Sequence, residues 1–123
     1  MTYYLALEDA LQQIAAVGFY VKDLGLLDSA LARPKTTLFG EDAYPTLELK
    51  AVAMVHSIIK NHAMVDGNKR TSWFMLSSFL YINGYFIEMT ADEGMEFTLG
   101  IATDKLSLAE AAAMIRKHMV EVS

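Results

Sequence analysis

The sequence predicts an all-α fold, a compact bundle of about six helices with one irregular, flap-like arm. Three observations lead to this prediction. Apolar residues recur at helical spacing through most of the chain. Two capping boxes, TADE at residues 90–93 and SLAE at residues 107–110, mark helix starts in the last third. Both prolines fall within residues 33–45, where a short run of β-favouring residues also lies.

The first two predicted helices are short. Apolar residues at steps of four and three predict a helix within residues 3–17, which Gly18 stops. These residues are Leu7, Leu11 and Ile14. A second helix runs through residues 26–32 and ends before Pro34, because the residue that precedes a proline disfavours helical backbone. Residues 33–45 are then expected to form an extended loop or a small hairpin, the only non-helical segment of any length.

Two central helices follow the arm. The segment 46–61 is apolar around most of its circumference, which is typical of a helix in the middle of a domain. An Asp-Gly pair at residues 66–67 breaks it. The next helix, over roughly residues 68–82, is also rich in aromatic and aliphatic side chains, and the Asn-Gly pair at 83–84 ends it with a left-handed cap.

The last two helices start at the capping boxes and extend to about residues 103 and 119. Lys117 and His118 fall in the final turn, where cations suit the helix dipole. The chain shows no repeat, low-complexity tract or linker. We therefore expect one domain over residues 1–123.

Composition excludes several classes of function. The net charge of −5 offers no basic stripe for nucleic acid, so no direct nucleic-acid binding is expected. The absence of cysteine removes disulfides, thiolate metal sites and a cysteine nucleophile. The N-terminus does not resemble a secretion signal. The longest apolar stretches, around residues 51–59 and 73–82, are about half of what spans a bilayer. We expect a soluble cytoplasmic protein that does not enter a membrane.

The loop between the two central helices contains a local conflict. Lys69 and Arg70 lie in the first turn of the second helix, at the positive end of its dipole, where acids are preferred. Gly67 permits close approach of a ligand, and Asn68 offers a neutral donor. Free backbone amides at a helix start, a glycine and two cations together indicate a phosphate site.

Two further residues complete this interpretation. His62 can accept a proton near neutral pH, and Asp66 can hold Mg²⁺ against phosphate oxygens. Together the set predicts transfer of a phosphate-containing group to a hydroxyl. Each part also has an ordinary explanation: a histidine at a helix end, a simple turn at residues 66–68, and a solvated pair of cations at residues 69–70.

The run of residues 62–71, HAMVDGNKRT, resembles the signature of the Fic/Doc proteins, specifically the Doc (death-on-curing) branch. The upstream TTLFGEDAYPTLELKA and the downstream INGY are similar to that branch as well. The resemblance covers roughly residues 25–118 and implies the Fic/Doc fold.

The resemblance also implies roles for the loop residues. His62 matches the general base that acts on the target hydroxyl, and Asp66 matches the carboxylate that binds the metal. Gly67 and Asn68 match the backbone and amide donors that cradle phosphates. Arg70 matches the phosphate-binding arginine. The cofactors implied are ATP and Mg²⁺.

Lys69 stands where the AMP-transferring Fic branch has a second glycine. In the Doc branch a lysine here implies a reversed nucleotide, so that the γ-phosphate is offered to the target. Proteins of this branch are toxins that phosphorylate translation elongation factor Tu and so block translation. A Phd-type antitoxin holds them in check. These are the activity, protein substrate and partner that the resemblance implies for this chain.

Two positions differ from the common family pattern, and one separate motif is incomplete. Ala63 replaces a frequent proline, which should matter little because alanine favours helix. Met64 stands where phenylalanine usually anchors the loop, and a methionine can fill an irregular gap in the core. The spacing from Thr90 to Glu93 and Gly94 is one residue shorter than the self-inhibition motif of some Fic proteins, so we interpret it as a helix cap alone.

The arm at residues 35–45 is the candidate flap that would align an extended target segment by strand addition. Its aligning residues are expected to be Thr36, Thr37, Leu38 and Phe39.

Two alternative functions are also compatible with the sequence: transfer of AMP to a protein hydroxyl, and a non-catalytic module that only holds a nucleotide. His56, six residues before His62, is expected to be a core or boundary histidine.

Overall fold

The computed structural model describes residues 1–62, 64 and 67–122. Six α-helices lie in these residues, as the sequence predicts. Their bounds are α1 Leu7–Ala16, α2 Leu24–Ala32, α3 Leu47–Asn61, α4 Asn68–Ile82, α5 Ala91–Ala102 and α6 Leu108–His118. A 3₁₀ turn, Arg33–Lys35, follows α2, and four short strands complete the element order: β1 Thr37–Leu38, β2 Glu41–Asp42, β3 Tyr85–Ile87 and β4 Met119–Glu121.

The helix α3 lies at the centre of the fold. It contacts α2, α4, α5 and α6, and its apolar side chains are buried around nearly the whole helix. Each fully buried aliphatic side chain contributes about 1.5–3 kcal/mol to the stability of the folded state. The buried residues of α3 and α4 belong to one apolar cluster that extends from Leu5 to Ile115. The prediction that these two helices are central is confirmed.

Caps define where four of the helices start. Thr46 accepts a hydrogen bond from the Leu49 N–H at the start of α3. Both predicted capping boxes are present, with Thr90 and Ser107 as N-caps. Asp23 caps α2, which therefore starts two residues earlier than the sequence predicts.

The first helix is shorter than predicted. We expected helix within residues 3–17, but α1 begins at Leu7. The Tyr3 N–H donates to the Asn83 side-chain oxygen at 2.8 Å, and the Asn83 amide donates to the Tyr3 carbonyl at 2.9 Å. These bonds hold the N-terminal segment against the end of α4. The backbone N–H and carbonyl of Tyr3 therefore have hydrogen-bond partners outside a helix.

The predicted arm is a hairpin, but it is not the only non-helical segment of any length. Strands β1 and β2 pair antiparallel, with Thr37 opposite Asp42. That part of the prediction is confirmed. Strands β3 and β4 form a second antiparallel pair, in which Phe86 lies opposite Val120. The sequence analysis missed this pair because three-residue strands are too short to show alternation.

Among the described residues, none of the helices is long and apolar enough to cross a membrane.

Candidate active site

The corner between α3 and α4 is built on two residues with left-handed backbone. His62 ends α3 with φ 50° and ψ 50°. Gly67 precedes α4 with φ 75°. A positive φ is uncommon outside glycine, although histidine is among the residues that tolerate it. The turn at His62 leaves its imidazole exposed at the edge of the corner.

Gly67 is required at its position by both conformation and space. Besides its positive φ, a Cβ built on this residue would lie 2.8 Å from Cε1 of Phe19. Phe19 therefore packs directly beneath the backbone that leads into α4. Gly67 has no side chain with which to cap α4. An anion can serve that purpose, since the first-turn amides of a helix point toward its N-terminus.

Asn68 uses its side chain within the loop. Its Oδ1 accepts a hydrogen bond from the Met64 N–H at 3.0 Å, and its Nδ2 donates to the Met64 carbonyl at 3.4 Å. Met64 itself is buried in the core and forms a β-bridge with Val21. In this structure Asn68 positions the loop. A contact between its side chain and a phosphate remains a prediction.

A cleft of about 400 Å³ opens at this corner. It brings together five of the predicted site residues, which are His62, Gly67, Asn68, Lys69 and Arg70. Its remaining lining comes from Ile59, Lys60 and Ala102. Asp66, which is predicted to bind the metal, lies outside the described residues, as does Ala63.

Lys60 is a member of the cleft that the sequence analysis missed. Its Nζ lies 2.9 Å from Oδ1 of Asp104 and donates to the Ala102 carbonyl at 3.1 Å. It thereby ties the C-terminal ends of α3 and α5 together and adds a third cation to the lining. A lysine in the last turn of a helix normally interacts favourably with the helix dipole. The position of Lys60 in the sequence therefore did not indicate a role in the cleft.

Cations dominate the electrostatics of the cleft. Lys69 and Arg70 are exposed at the start of α4, and Lys60, whose charge is paired with Asp104, also lines the cleft. The Ser72 hydroxyl donates to the Lys69 carbonyl at 2.7 Å, which braces the first turn from within. Among the described lining residues there is no acidic side chain. This arrangement suits a multiply charged anion such as a phosphate chain.

The flap precedes α3 in the chain and is strongly exposed. Phe39 and Gly40 form its turn, with φ of 53° and 81°. Two successive positive φ values are typical of the tight type I′ hairpin turn. Phe39 is fully exposed and Leu38 is 61% exposed. Thr36 is held by the bond from its hydroxyl to the Arg33 carbonyl at 2.7 Å.

A buried lysine attaches the flap to the core. Lys50 on α3 has a side chain that is only 4% exposed. Its Nζ lies 3.1 Å from the Asp42 carboxylate on β2 and donates to the Tyr44 carbonyl at 2.6 Å. The second strand is thus fixed, while the turn residues project from the surface.

His56 belongs to a hydrogen-bonded cluster at the base of the flap. Nη1 of Arg33 lies 2.8 Å from Nδ1 of His56, and Nε of Arg33 donates to the Tyr44 hydroxyl at 3.0 Å. Burial, followed by the positive charges of Arg33 and Lys60, lowers the pKa of His56. His56 is half-buried, which confirms its interpretation as a boundary residue.

Comparison with known proteins identifies the family of the chain. The sequence model of the Fic/DOC family matches residues 2–80, which is more than half of the chain and contains the whole corner. The chain is also similar to "Toxin Doc" of Mycolicibacterium smegmatis (strain ATCC 700084 / mc(2)155). The two are 52% identical over 95 residues, which cover 75% of this chain and 72% of that protein. The chain therefore belongs to the Fic/Doc family, in its Doc toxin branch.

Proposed function

We propose that this protein is the toxin of a toxin–antitoxin pair and that it transfers the γ-phosphate of ATP to a hydroxyl of a target protein. The observation that carries the proposal is the cleft itself. It places a histidine, two first-turn cations and an uncapped helix start around one space. The membership in the Doc toxin branch supports the toxin part.

The described residues have distinct roles in this reaction. His62 is exposed at the cleft and accepts the proton of the target hydroxyl. The hydroxyl oxygen forms a bond to the γ-phosphorus as the bond from that phosphorus to the bridging oxygen breaks, and ADP leaves. Lys69 and Arg70 stabilise the charge on the phosphate oxygens. The amides at the start of α4 hold the phosphate chain in place.

ATP fits the cleft because the described lining is cationic and ends at a helix N-terminus. Mg²⁺, when bound, neutralises phosphate charge, and Asp66 would hold it, as the family signature implies. Lys69 favours γ-phosphate transfer over AMP transfer, since its side chain lies where the AMP-transferring branch has a glycine.

The target proposed is elongation factor Tu, and the site of action proposed is the cytoplasm. Both follow from the resemblance to the Doc branch. The exposed Leu38 and Phe39 on the flap offer apolar contacts for an extended segment of the target. A Phd-type antitoxin would neutralise the toxin by covering the same flap and the cleft with a helical segment.

The experiment that tests this function uses two labelled forms of ATP. The protein is incubated in cell lysate with ATP labelled at either the γ- or the α-phosphate. The proposal expects label from the γ position on a protein of the size of elongation factor Tu. Label from the α position would show AMP transfer instead. The absence of label from both would contradict a transferase.

A second arm tests the toxin role. Expression of the chain should arrest growth, and co-expression with the adjacent open reading frame should restore it. If the neighbouring product neither binds the chain nor relieves the arrest, the toxin–antitoxin assignment is wrong.

A further inference from the structure

The two ends of the flap meet at one residue, Arg33. Its backbone carbonyl accepts hydrogen bonds from the Thr36 N–H at 3.0 Å and from the Thr36 hydroxyl at 2.7 Å, at the start of the flap. Its side-chain Nε donates to the Tyr44 hydroxyl at 3.0 Å, at the end of the flap. Between these two points the Ala43 N–H donates to the Thr36 carbonyl at 2.9 Å and closes the flap. Arg33 therefore holds both strands of the flap at their base.

The same guanidinium attaches the flap to α3. Nη1 of Arg33 donates to the Ser57 hydroxyl at 2.9 Å and to the Ala53 carbonyl at 3.1 Å. Its shortest contact on α3 is with Nδ1 of His56, at 2.8 Å. His62 follows the end of α3, about 9 Å along the helix axis from His56. Arg33 thus joins the surface proposed to align the target to the helix that leads to the proposed base.

The bond between Arg33 and His56 requires a neutral imidazole. A guanidinium has N–H donors and no acceptor, so Nδ1 of His56 accepts in this bond. Protonation at Nδ1 would place two donors and two positive charges against each other at the same distance. The bond would then be lost and replaced by repulsion.

The charged groups around His56 set the pH at which this change occurs. Arg33 approaches from the turn before the flap, Lys60 lies one helical turn further along α3, and Asp104 follows α5. Burial, followed by the charges of Arg33 and Lys60, lowers the pKa of His56, and Asp104 opposes this effect. The attachment is therefore complete near neutral pH and is lost as pH falls below the ordinary value of 6.5, through the lowered pKa.

Lys50 holds the flap independently of His56. It contacts the Asp42 carboxylate and the Tyr44 carbonyl, but no group of the first strand among its hydrogen bonds in the described part of the chain. Protonation of His56 should therefore loosen the base of the flap without detaching the second strand.

We propose that Arg33 and His56 are positioning residues that set the flap against α3, and that protonation of His56 releases the flap from this position. Alignment of the target is then effective near neutral pH and weaker under acidic conditions. The part of this inference that concerns the target depends on the proposed function, whereas the release of the flap does not.

The test removes each of the chain's three histidines in turn. His56→Asn places an amide oxygen near the position of Nδ1, which can accept from Arg33 but does not titrate. His62→Asn and His118→Gln are the matched controls, because they remove the other two groups that titrate in the same range. The measurement is hydrogen exchange of the free protein, expressed as the protection of the Ala43 amide relative to its intrinsic exchange rate at each pH.

We expect protection of the Ala43 amide to fall about tenfold between about pH 7.5 and about pH 5, as loss of a hydrogen bond to a charged group implies. His56→Asn should keep the high protection at both pH values, and the two controls should respond as the unmodified protein does. Arg33→Lys keeps the charge but cannot make the same set of bonds, so its protection should be low at both pH values.

Steady-state kinetics with the target protein extend the test to function. In the unmodified protein the KM for the target should rise at the lower pH, whereas in His56→Asn it should not. The kcat should fall in both proteins, because His62 becomes protonated. A protein that transfers no phosphate but shows the expected exchange pattern would contradict the proposed function and leave the release of the flap standing.

The inference is overturned if protection of the Ala43 amide in the unmodified protein does not change with pH. It is also overturned if the change persists in His56→Asn or disappears in either control. If His56→Asn does not fold, Arg33→Lys decides the question, and protection equal to that of the unmodified protein at about pH 7.5 would overturn the inference.

Discussion

At the scale of single residues, His62 combines an exposed imidazole with a left-handed backbone. Its replacement should leave this backbone undisturbed, and asparagine tolerates a positive φ better than alanine does. We predict that His62→Asn reduces phosphate transfer by about 10²–10⁴-fold, the usual contribution of a general base. The thermal midpoint should stay close to that of the unmodified protein, because an exposed side chain contributes little packing.

The measurement is the initial rate of target labelling together with a thermal melt. A variant that labels the target at the normal rate would show that another group takes the proton. A large drop in the thermal midpoint, with the remaining folded protein fully active, would show a structural role for His62 instead.

Lys69 lies in the first turn of α4, where a cation is unfavourable unless an anion binds beside it. We predict that the unmodified protein binds ATP most tightly, that Lys69→Gly binds it less tightly, and that Lys69→Glu binds it least tightly. The last variant places a carboxylate against the phosphates. Lys69→Gly should also transfer γ-phosphate more slowly and show some AMP transfer. Lys22→Glu, at an exposed position outside the cleft, is the control for the change in net charge. Equal affinities in calorimetric titrations of the three position-69 forms would show that this cation does not face the nucleotide.

At the scale of elements, the flap joins a fixed strand to an exposed turn. Lys50 holds β2, and the turn at Phe39 and Gly40 takes two positive φ values. Phe39→Asn creates an Asn-Gly pair, which favours this turn and removes only the exposed ring. We predict that the variant raises the KM for the target protein, while the affinity for ATP and the thermal midpoint are unchanged. Steady-state kinetics with purified target check this, and an unaltered KM would remove Phe39 from the target-aligning surface.

One contact between α5 and α6 joins two titratable side chains. Nε2 of His118 lies 2.9 Å from the Glu93 carboxylate. The hydrogen bond to the Met114 carbonyl, followed by the interaction with Glu93, raises the pKa of His118. The bond from the Thr90 N–H, followed by that from His118, lowers the pKa of Glu93. Protonated His118 and ionised Glu93 are therefore the forms that the folded state favours.

The direction of each pKa shift fixes the pH window. The raised pKa of His118 contributes stability below its ordinary value of 6.5, and this contribution is lost as pH rises through the folded-state pKa. The lowered pKa of Glu93 contributes above its ordinary value of 4.5 and is lost as pH falls through the folded-state pKa. We predict that His118→Gln lowers the thermal midpoint most between these two values and much less at about pH 8. A difference that does not vary with pH would show that the contact does not depend on charge.

At the scale of the whole molecule, the helices were predictable and the connections between distant segments were not. The apolar runs and the capping boxes are formed by residues that are close together in the chain, so they can be recognised directly in the sequence. The pairing of β3 with β4 and the attachment of Tyr3 to Asn83 join segments that are far apart in the chain. Nothing local in either segment indicates its partner.

The same distinction applies to the site. The placement of His62, Gly67, Lys69 and Arg70 around one cleft was predictable, because they are close together in the chain and resemble a known signature. Lys60 was not, because its place in the cleft depends on the end of α5, which the fold brings to it.

We propose above that the group transferred is the γ-phosphoryl group of ATP. The most direct test is the intact mass of purified elongation factor Tu after incubation with the protein, ATP and Mg²⁺, with the His62→Asn variant as the control. We predict a mass increase of one phosphoryl group, which the control does not produce. An increase of one AMP group, or no change in mass with a folded protein that binds ATP, would contradict it.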